Sequence, residues 1–318
     1  MPSISIPRMR QYLSRSIASK NLNKLRGTLA EVHFRNYLHS IGFAGRVSPG
    51  GWIVRRKGVN VFAHSTAAIF PEIVDPAQDY GPERELPKPS QGLHTICATL
   101  HQSGIASFYC AATISEQDEP FTGMKWQAIE LGIPMEQHYQ SLTEALTPLQ
   151  FAKRKRHYNY LRYHADTTPI PDDAVPEEYS KEHLRVTFNA NHMAEPSDID
   201  GIFWGKWNTY PIEIKEKTPA PSTDMGPFFG LDVGPFVKLA FYAAKRGNLH
   251  SLYVVREIDN EQDRNLVAWW FMTFDQLAQF ASWVPQPGGA AMGGGRSSVV
   301  RVPKIEFQPL NAATLEAL

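Results

Sequence analysis

The chain has 318 residues, room for one large domain or two ordinary ones, and its 42% hydrophobic and 20% charged content is that of a globular protein. Lys plus Arg balance Asp plus Glu at 32 each, so net charge gives no warrant for a nucleic-acid partner; it excludes none either, because such binding depends on where the cations lie. No apolar run approaches the roughly 20 residues that span a bilayer, and the N-terminus lacks the apolar core of a secretory signal; no membrane partner and a cytoplasmic location are the expectation.

The first segment is basic, with Arg8, Arg10, Arg15, Lys20, Lys24 and Arg26 leading into an expected helix over 20–41. Leu22, Leu25, Leu29 and Val32 keep helical spacing there, and Gly42 can cap the end. From about 45 to 150 the texture changes. A short strand is expected at 52–54, Pro and Gly are dense between Pro71 and Gly92, and a hairpin is expected with arms 93–100 and 105–114 about a turn at 102–104. Cys97 and Cys110 are too widely spaced for a redox or zinc motif and read as core thiols in neighbouring strands. A short helix is expected over 135–147.

Lys153, Arg154, Lys155 and Arg156 follow, interleaved with His157, Tyr158, Tyr160, Arg162 and Tyr163. Cations there could meet phosphates and rings could stack on bases, although an amphipathic helix with a solvated face explains the pattern as well. An acidic, Pro-rich linker is expected at 167–182. Strands are expected at 185–190, 199–204 and 209–217, then a loop, a helix over 231–245, strands at 251–257 and 266–273, a helix over 275–283, a Gly-rich loop and a last strand at 299–307. Without 45–183 the order is that of an α/β core with a mixed sheet flanked by helices. The expected division is 1–44 as arm and first core helix, 45–183 as a large insertion suited to target recognition, and 184–318 as the catalytic core.

The chemistry concentrates in 197–217. Strand alternation places Ile212 and Ile214 on one face and Glu213, Lys215 and Lys217 on the other. Upstream, Asp198 and Asp200 share a face, and a turn at 205–208 would fold 199–204 against 209–217, bringing Asp200 close to Glu213. Two adjacent carboxylates stay ionised together only around a shared cation. Oxygen donors favour Mg²⁺, with Mn²⁺ as substitute, and a neighbouring lysine can orient water or offset charge on phosphate oxygens. The tripeptide Glu213-Ile214-Lys215 is the one acid-x-Lys in the chain, about what chance supplies; the flanking strand residues and the Asp 13 positions upstream give it meaning.

This segment resembles the core of the PD-(D/E)xK nuclease superfamily, most closely a type II restriction endonuclease. Residues 26–43, with Gly27 four positions before Glu31 and a close on Gly42-Phe43, are similar to the first helix of such enzymes. The resemblance implies a restriction-endonuclease-like fold in which Asp200, Glu213 and the Ile214 carbonyl hold Mg²⁺, Lys215 positions the attacking water, and Glu31 supports the metal. Pro196 precedes Ser197 rather than an Asp, so Asp198 competes with Asp200 for the ligand position, and we favour Asp200. Lys238, at i and i+4 with Tyr242 on the following helix, is a candidate phosphate contact, as are Arg26 and the 153–156 cluster. The implied activity is double-stranded DNA cleavage by a homodimer, sequence-specific. A structure-directed repair, recombination or defence nuclease and a non-catalytic nucleic-acid-binding module are the alternatives.

Overall fold

Residues 5–17, 23–56, 66–74, 86, 89–114, 124–133, 137–154, 161–288 and 298–318 are described in the computed structural model. The chain divides into two units, Met1–Val32 with Ser48–Ile199 and His33–Val47 with Asp200–Leu318. Both mix helices and strands. Among the described residues no helix is long and apolar enough to cross a membrane.

The chain begins with α1 (Ile6–Ser16) and α2 (Asn23–Ser40) and continues in the first unit through β1 (Gly51–Arg56), β2 (Thr66–Val74), α3 (Gln91–Gln102), β3 (Ala106–Thr113), β4 (Gln127–Leu131), β5 (Gln140–Ser141), α4 (Leu142–Leu146), β6 (Ala152–Lys153), α5 (Val175–Asn191) and β7 (His192–Ile199). The strands lie in the order β5-β4-β3-β2-β1-β7-β6. Helix α5 packs on β1 and β2, and α1 packs on α5. Met9, Tyr12 and Leu13 of α1 share a buried core with Tyr179, Leu184 and Phe188 of α5 and with Trp52, Ile69 and Phe108 of the sheet.

Two expectations are overturned in this unit. Residues 93–100 are not a hairpin arm but part of α3: Leu93, Ile96, Cys97 and Leu100 are buried at helical spacing, and the Ser90 hydroxyl caps the first turn by accepting from Leu93 N at 3.2 Å. Helix α3 therefore links β2 and β3 as parallel neighbours, Ala67 opposite Ala106 through Val74 opposite Thr113. Cys97 sits in that helix and Cys110 in β3, both buried and free. The second correction is α5, which replaces the linker expected at 167–182 from Val175 onward and the whole strand expected at 185–190. Pro176 in its first turn, where an N–H is not needed, and Glu177 and Glu178 at its positive end make that acidic stretch a helix start. The helix expected over 135–147 is confined to α4, and residues 134–136 lie outside the described part.

In the second unit the C-terminal part of α2 ends at Gly42, whose φ of +87° lets Phe43 N donate to Leu38 O and Gly42 N to His39 O. The chain resumes with β8 (Gly201–Trp204), β9 (Thr209–Lys217), β10 (Phe228–Asp232), α6 (Val233–Ala243), β11 (Leu252–Ile258), β12 (Leu266–Thr273), α7 (Phe274–Phe280), β13 (Gln286–Pro287), β14 (Ser298–Pro303), β15 (Gln308–Pro309) and α8 (Ala312–Glu316). A mixed sheet runs β15-β12-β11-β9-β8, and a smaller one runs β10-β14-β13. Strands β9 and β11 are parallel, with β10 and α6 between them in the chain, whereas β8–β9 and β11–β12 are antiparallel. Tyr253 and Val255 of β11 share a core with Leu239 of α6, Leu277 of α7 and Phe229 and Leu231 of β10. The strand expected over 299–307 stops at Pro303 and gives way to a 3-10 turn, Lys304–Glu306. The expected Gly-rich loop falls mostly on 289–297, outside the described residues.

Candidate functional site

Strands β8 and β9 form the expected hairpin, from Gly201 opposite Ile212 to Trp204 opposite Thr209, closed by Gly205 N donating to Asn208 O at 2.9 Å. One further step of that register sets Asp200 opposite Glu213. The Asp200 side chain, 3% exposed, accepts a hydrogen bond from Ile214 N at 2.7 Å. It is thereby fixed to the backbone between Glu213 and Lys215.

Glu213 and Lys215 share one face of β9, and Lys215 Nζ lies 2.6 Å from Glu213 Oε1. Tyr253 and Val255, their partners on β11, look to the same side, so this face is the one that α6 covers. Lys238 of α6 completes the group, its Nζ 2.5 Å from Glu213 Oε2. A carboxylate that is only 2% exposed thus sits between two ammonium groups. Burial drives the Lys217 ammonium below its ordinary range; Asp232 works against this, and Lys215 adds to it. Tyr242, one turn beyond Lys238, is buried.

Glu31 and Asp198 belong to the first unit, where carboxylate oxygens of the two lie within 4.8 Å of each other. Glu31 is buried and forms an ion pair with Lys181 of α5, which also lies 3.4 Å from Glu178. Lys181 was not singled out in the sequence. Its signal was the Glu178/Lys181 spacing of three, which pairs side chains only if the segment is helical. Asp198 lies on β7 opposite Trp52, whereas Asp200 opens the second unit.

Of the candidate nucleic-acid contacts, Arg26 is half-buried on α2 and Lys153 is exposed on β6. Arg154 donates its backbone N–H to Asn191 O at 2.9 Å. Lys155 and Arg156 lie outside the described residues. No protein-family model, no curated protein and no solved structure matches this chain.

Proposed function

We propose that the chain is a divalent-metal-dependent DNA endonuclease whose centre is Asp200, Glu213 and Lys215 of the second unit. The observation that carries this reading is the hydrogen bond from Ile214 N to Asp200 Oδ2, which holds a buried carboxylate beside the acid and the lysine that flank Ile214. The chain order α2, β8, β9, α6, β11, with β9 parallel to β11, supports a restriction-endonuclease-like core.

The donor set fits the ion. Two buried carboxylates and the Ile214 carbonyl offer oxygen alone, which suits Mg²⁺ or Mn²⁺ better than zinc. A bound ion would supply neutralising charge at the scissile phosphate and acidify a water. The rest falls to the chain. Lys215, ion-paired to Glu213, orients the attacking water and offsets charge that grows on phosphate oxygens. Lys238 balances the other Glu213 oxygen and can shift to phosphate when substrate arrives. In the reading we favour, the substrate is double-stranded DNA, the first unit reads the target, and a homodimer matches a palindromic site.

A second reading rests on one observation: two lysines already neutralise Glu213, as they would in a purely structural ion-pair hub. The protein would then bind nucleic acid without cutting it. Incubation of supercoiled plasmid with Mg²⁺ or EDTA, beside Lys215→Ala and Asp200→Asn, separates the two. Cleavage is expected with Mg²⁺ alone and should fall about 10²- to 10⁴-fold in each variant. Cutting that survives EDTA and both substitutions overturns the mechanism; retention of plasmid without cutting selects the second reading.

A further inference from the structure

Helix α6 is built inside out. Lys238 is the only charged residue in its sequence, VGPFVKLAFYA, and it turns inward to Glu213, beside the buried Leu239 and Tyr242. The opposite face runs from Gly234 through Val237 and Phe241 to Ala244, at intervals of three, four and three residues. That spacing is the seam of a helix that packs against another helix. Gly234 and Ala244 are exposed, Val237 is 53% exposed, and Phe241 is half-buried with Lys245 Nζ 4.6 Å from its ring centroid. A surface helix ordinarily turns its charges to water and its apolar stripe to the core. Here the charge is inside and an apolar stripe faces solvent.

The stripe is complementary to itself when reversed. If a second α6 lies antiparallel across it on a two-fold axis, Gly234 meets Ala244 of the other copy and Val237 meets Phe241 of the other copy. Small then faces small and large faces large, so the axes can close to the roughly 8–10 Å of packed helices. Space for this exists at Gly234, where the point a Cβ would occupy has nothing within 4 Å. The same reversal sets Asp232, the N-cap, against the exposed Arg246 that follows the C-cap, Ala244, so opposite charges meet at both ends of the seam. The four seam residues carry no cation with which to hold phosphates, and two-fold pairing is the commonest interface among soluble oligomers.

We propose that the outer face of α6 is the contact through which two copies of this chain pair, antiparallel about a two-fold axis, with Val237 against Phe241 in the middle and Asp232 against Arg246 at each end. The inference deepens the homodimer of the nuclease reading by naming its interface, and it needs neither metal nor DNA. The helix has 11 residues and is about 16 Å long, so the seam is short and the pairing is of micromolar strength.

Sedimentation equilibrium of the full chain in EDTA, without nucleic acid, tests it from about 1 to 300 µM, where a dimer with Kd of about 1–100 µM is expected. Val237→Arg, at an exposed position, should weaken the dimer at least about tenfold while its circular dichroism and cooperative melt remain, and Ala244→Arg serves if that variant does not fold. Asp232→Lys should weaken it too. Adding Arg246→Glu to the same chain should then recover it, because the two-fold axis restores both end pairs with their charges exchanged. A chain that stays monomeric at about 300 µM overturns the proposal, as does a dimer that both arginine variants leave intact. A double charge variant no tighter than Asp232→Lys overturns the antiparallel register. A monomer whose affinity for duplex DNA falls in Val237→Arg gives the face to nucleic acid instead. Plasmid cleavage by a monomer would sink this inference alone, and a dimer of this kind that cuts nothing would sink only the nuclease reading.

Discussion

Glu213 is held by two lysines from different elements. Lys215 comes from its own strand and Lys238 from α6, so removing Lys238 leaves a buried carboxylate with one ammonium instead of two. Lys238→Met should cost about 1–3 kcal/mol in urea unfolding, the penalty of uncovering part of a buried charge. Mg²⁺ that binds the folded centre should raise Tm more in this variant than in the natural chain, because it replaces the missing charge. Equal Mg²⁺ shifts in both proteins would argue against an ion at Glu213.

His183 gives the first unit a titration of its own. It is buried, stacked on Tyr12 with centroids 5.0 Å apart, and burial lowers its pKa from 6.5 to about 4. The unfolded chain therefore takes up a proton below pH 6.5 that the folded chain refuses until about pH 4, so stability falls as pH drops through this window. The whole effect is on the order of 3 kcal/mol. Glu182 acts elsewhere: burial raises its carboxyl, but Lys24 and Arg185 outweigh that and hold it at about 2. Its stabilisation is complete above its unfolded pKa of 4.5 and fades only as pH falls toward 2. Between pH 6.5 and 5, then, His183→Phe should flatten the loss of stability measured by urea unfolding, and an unchanged pH slope would assign it to other groups.

At the scale of elements, Gly104 just past the end of α3 and Gly132 just past β4 distinguish backbone strain from a clash. Gly104 has φ +78° with nothing within 4 Å of the point a Cβ would occupy, so Gly104→Ala should cost about 1–2 kcal/mol for the left-handed backbone alone. Gly132, at φ +83°, would bring a Cβ to 2.4 Å from Cys97 O on the helix itself. Gly132→Ala should therefore cost about 3 kcal/mol or more, and equal Cm shifts for the two variants would refute the distinction.

The same elements show what could be read in advance. Helix α2, the β8–β9 hairpin, β11 and β12 follow from periodicity and turn residues, and so does the shared face of Glu213 and Lys215. The misread segments are those in which two periods compete. Residues 93–100 are apolar enough for a strand, and only Ser90 and the spacing of Leu93, Ile96, Cys97 and Leu100 mark a helix. Residues 185–190 carry Val186, Thr187 and Phe188, all favourable in strands, yet the packing of Leu184 and Phe188 against the first unit's core decides for α5. Lys181 was hidden by the same error, because a linker has no faces on which to pair it with Glu31. Lys238 was visible as a helix residue, but its approach to Glu213 is a tertiary fact that one-dimensional spacing does not contain.

The whole molecule is divided in a way that its sequence order does not follow. The second unit takes His33–Val47 from the N-terminal region and Asp200–Leu318 from the remainder. The short piece is structural, not decorative. Phe34, Leu38 and Phe43 are 1%, 0% and 4% exposed, Phe34 and Tyr37 pack on Trp269, and Tyr37 Oη donates to Leu310 O at 2.8 Å. Val47 bridges to Phe203, and Arg46 reaches Trp204 O and Glu316. Burial of three such side chains is worth about 5–9 kcal/mol, comparable to the whole net stability of an ordinary domain, about 5–15 kcal/mol. A fragment of residues 200–318 should therefore show strand-rich circular dichroism at most, with no cooperative thermal transition. Joining 33–47 to its N-terminus through a flexible Gly/Ser linker should restore a cooperative melt, and replacing Phe34 and Leu38 by Ala in that joined chain should abolish it again. A cooperative transition in 200–318 alone would mean that the strands of the second unit carry their own core and that the α2 segment is dispensable to it.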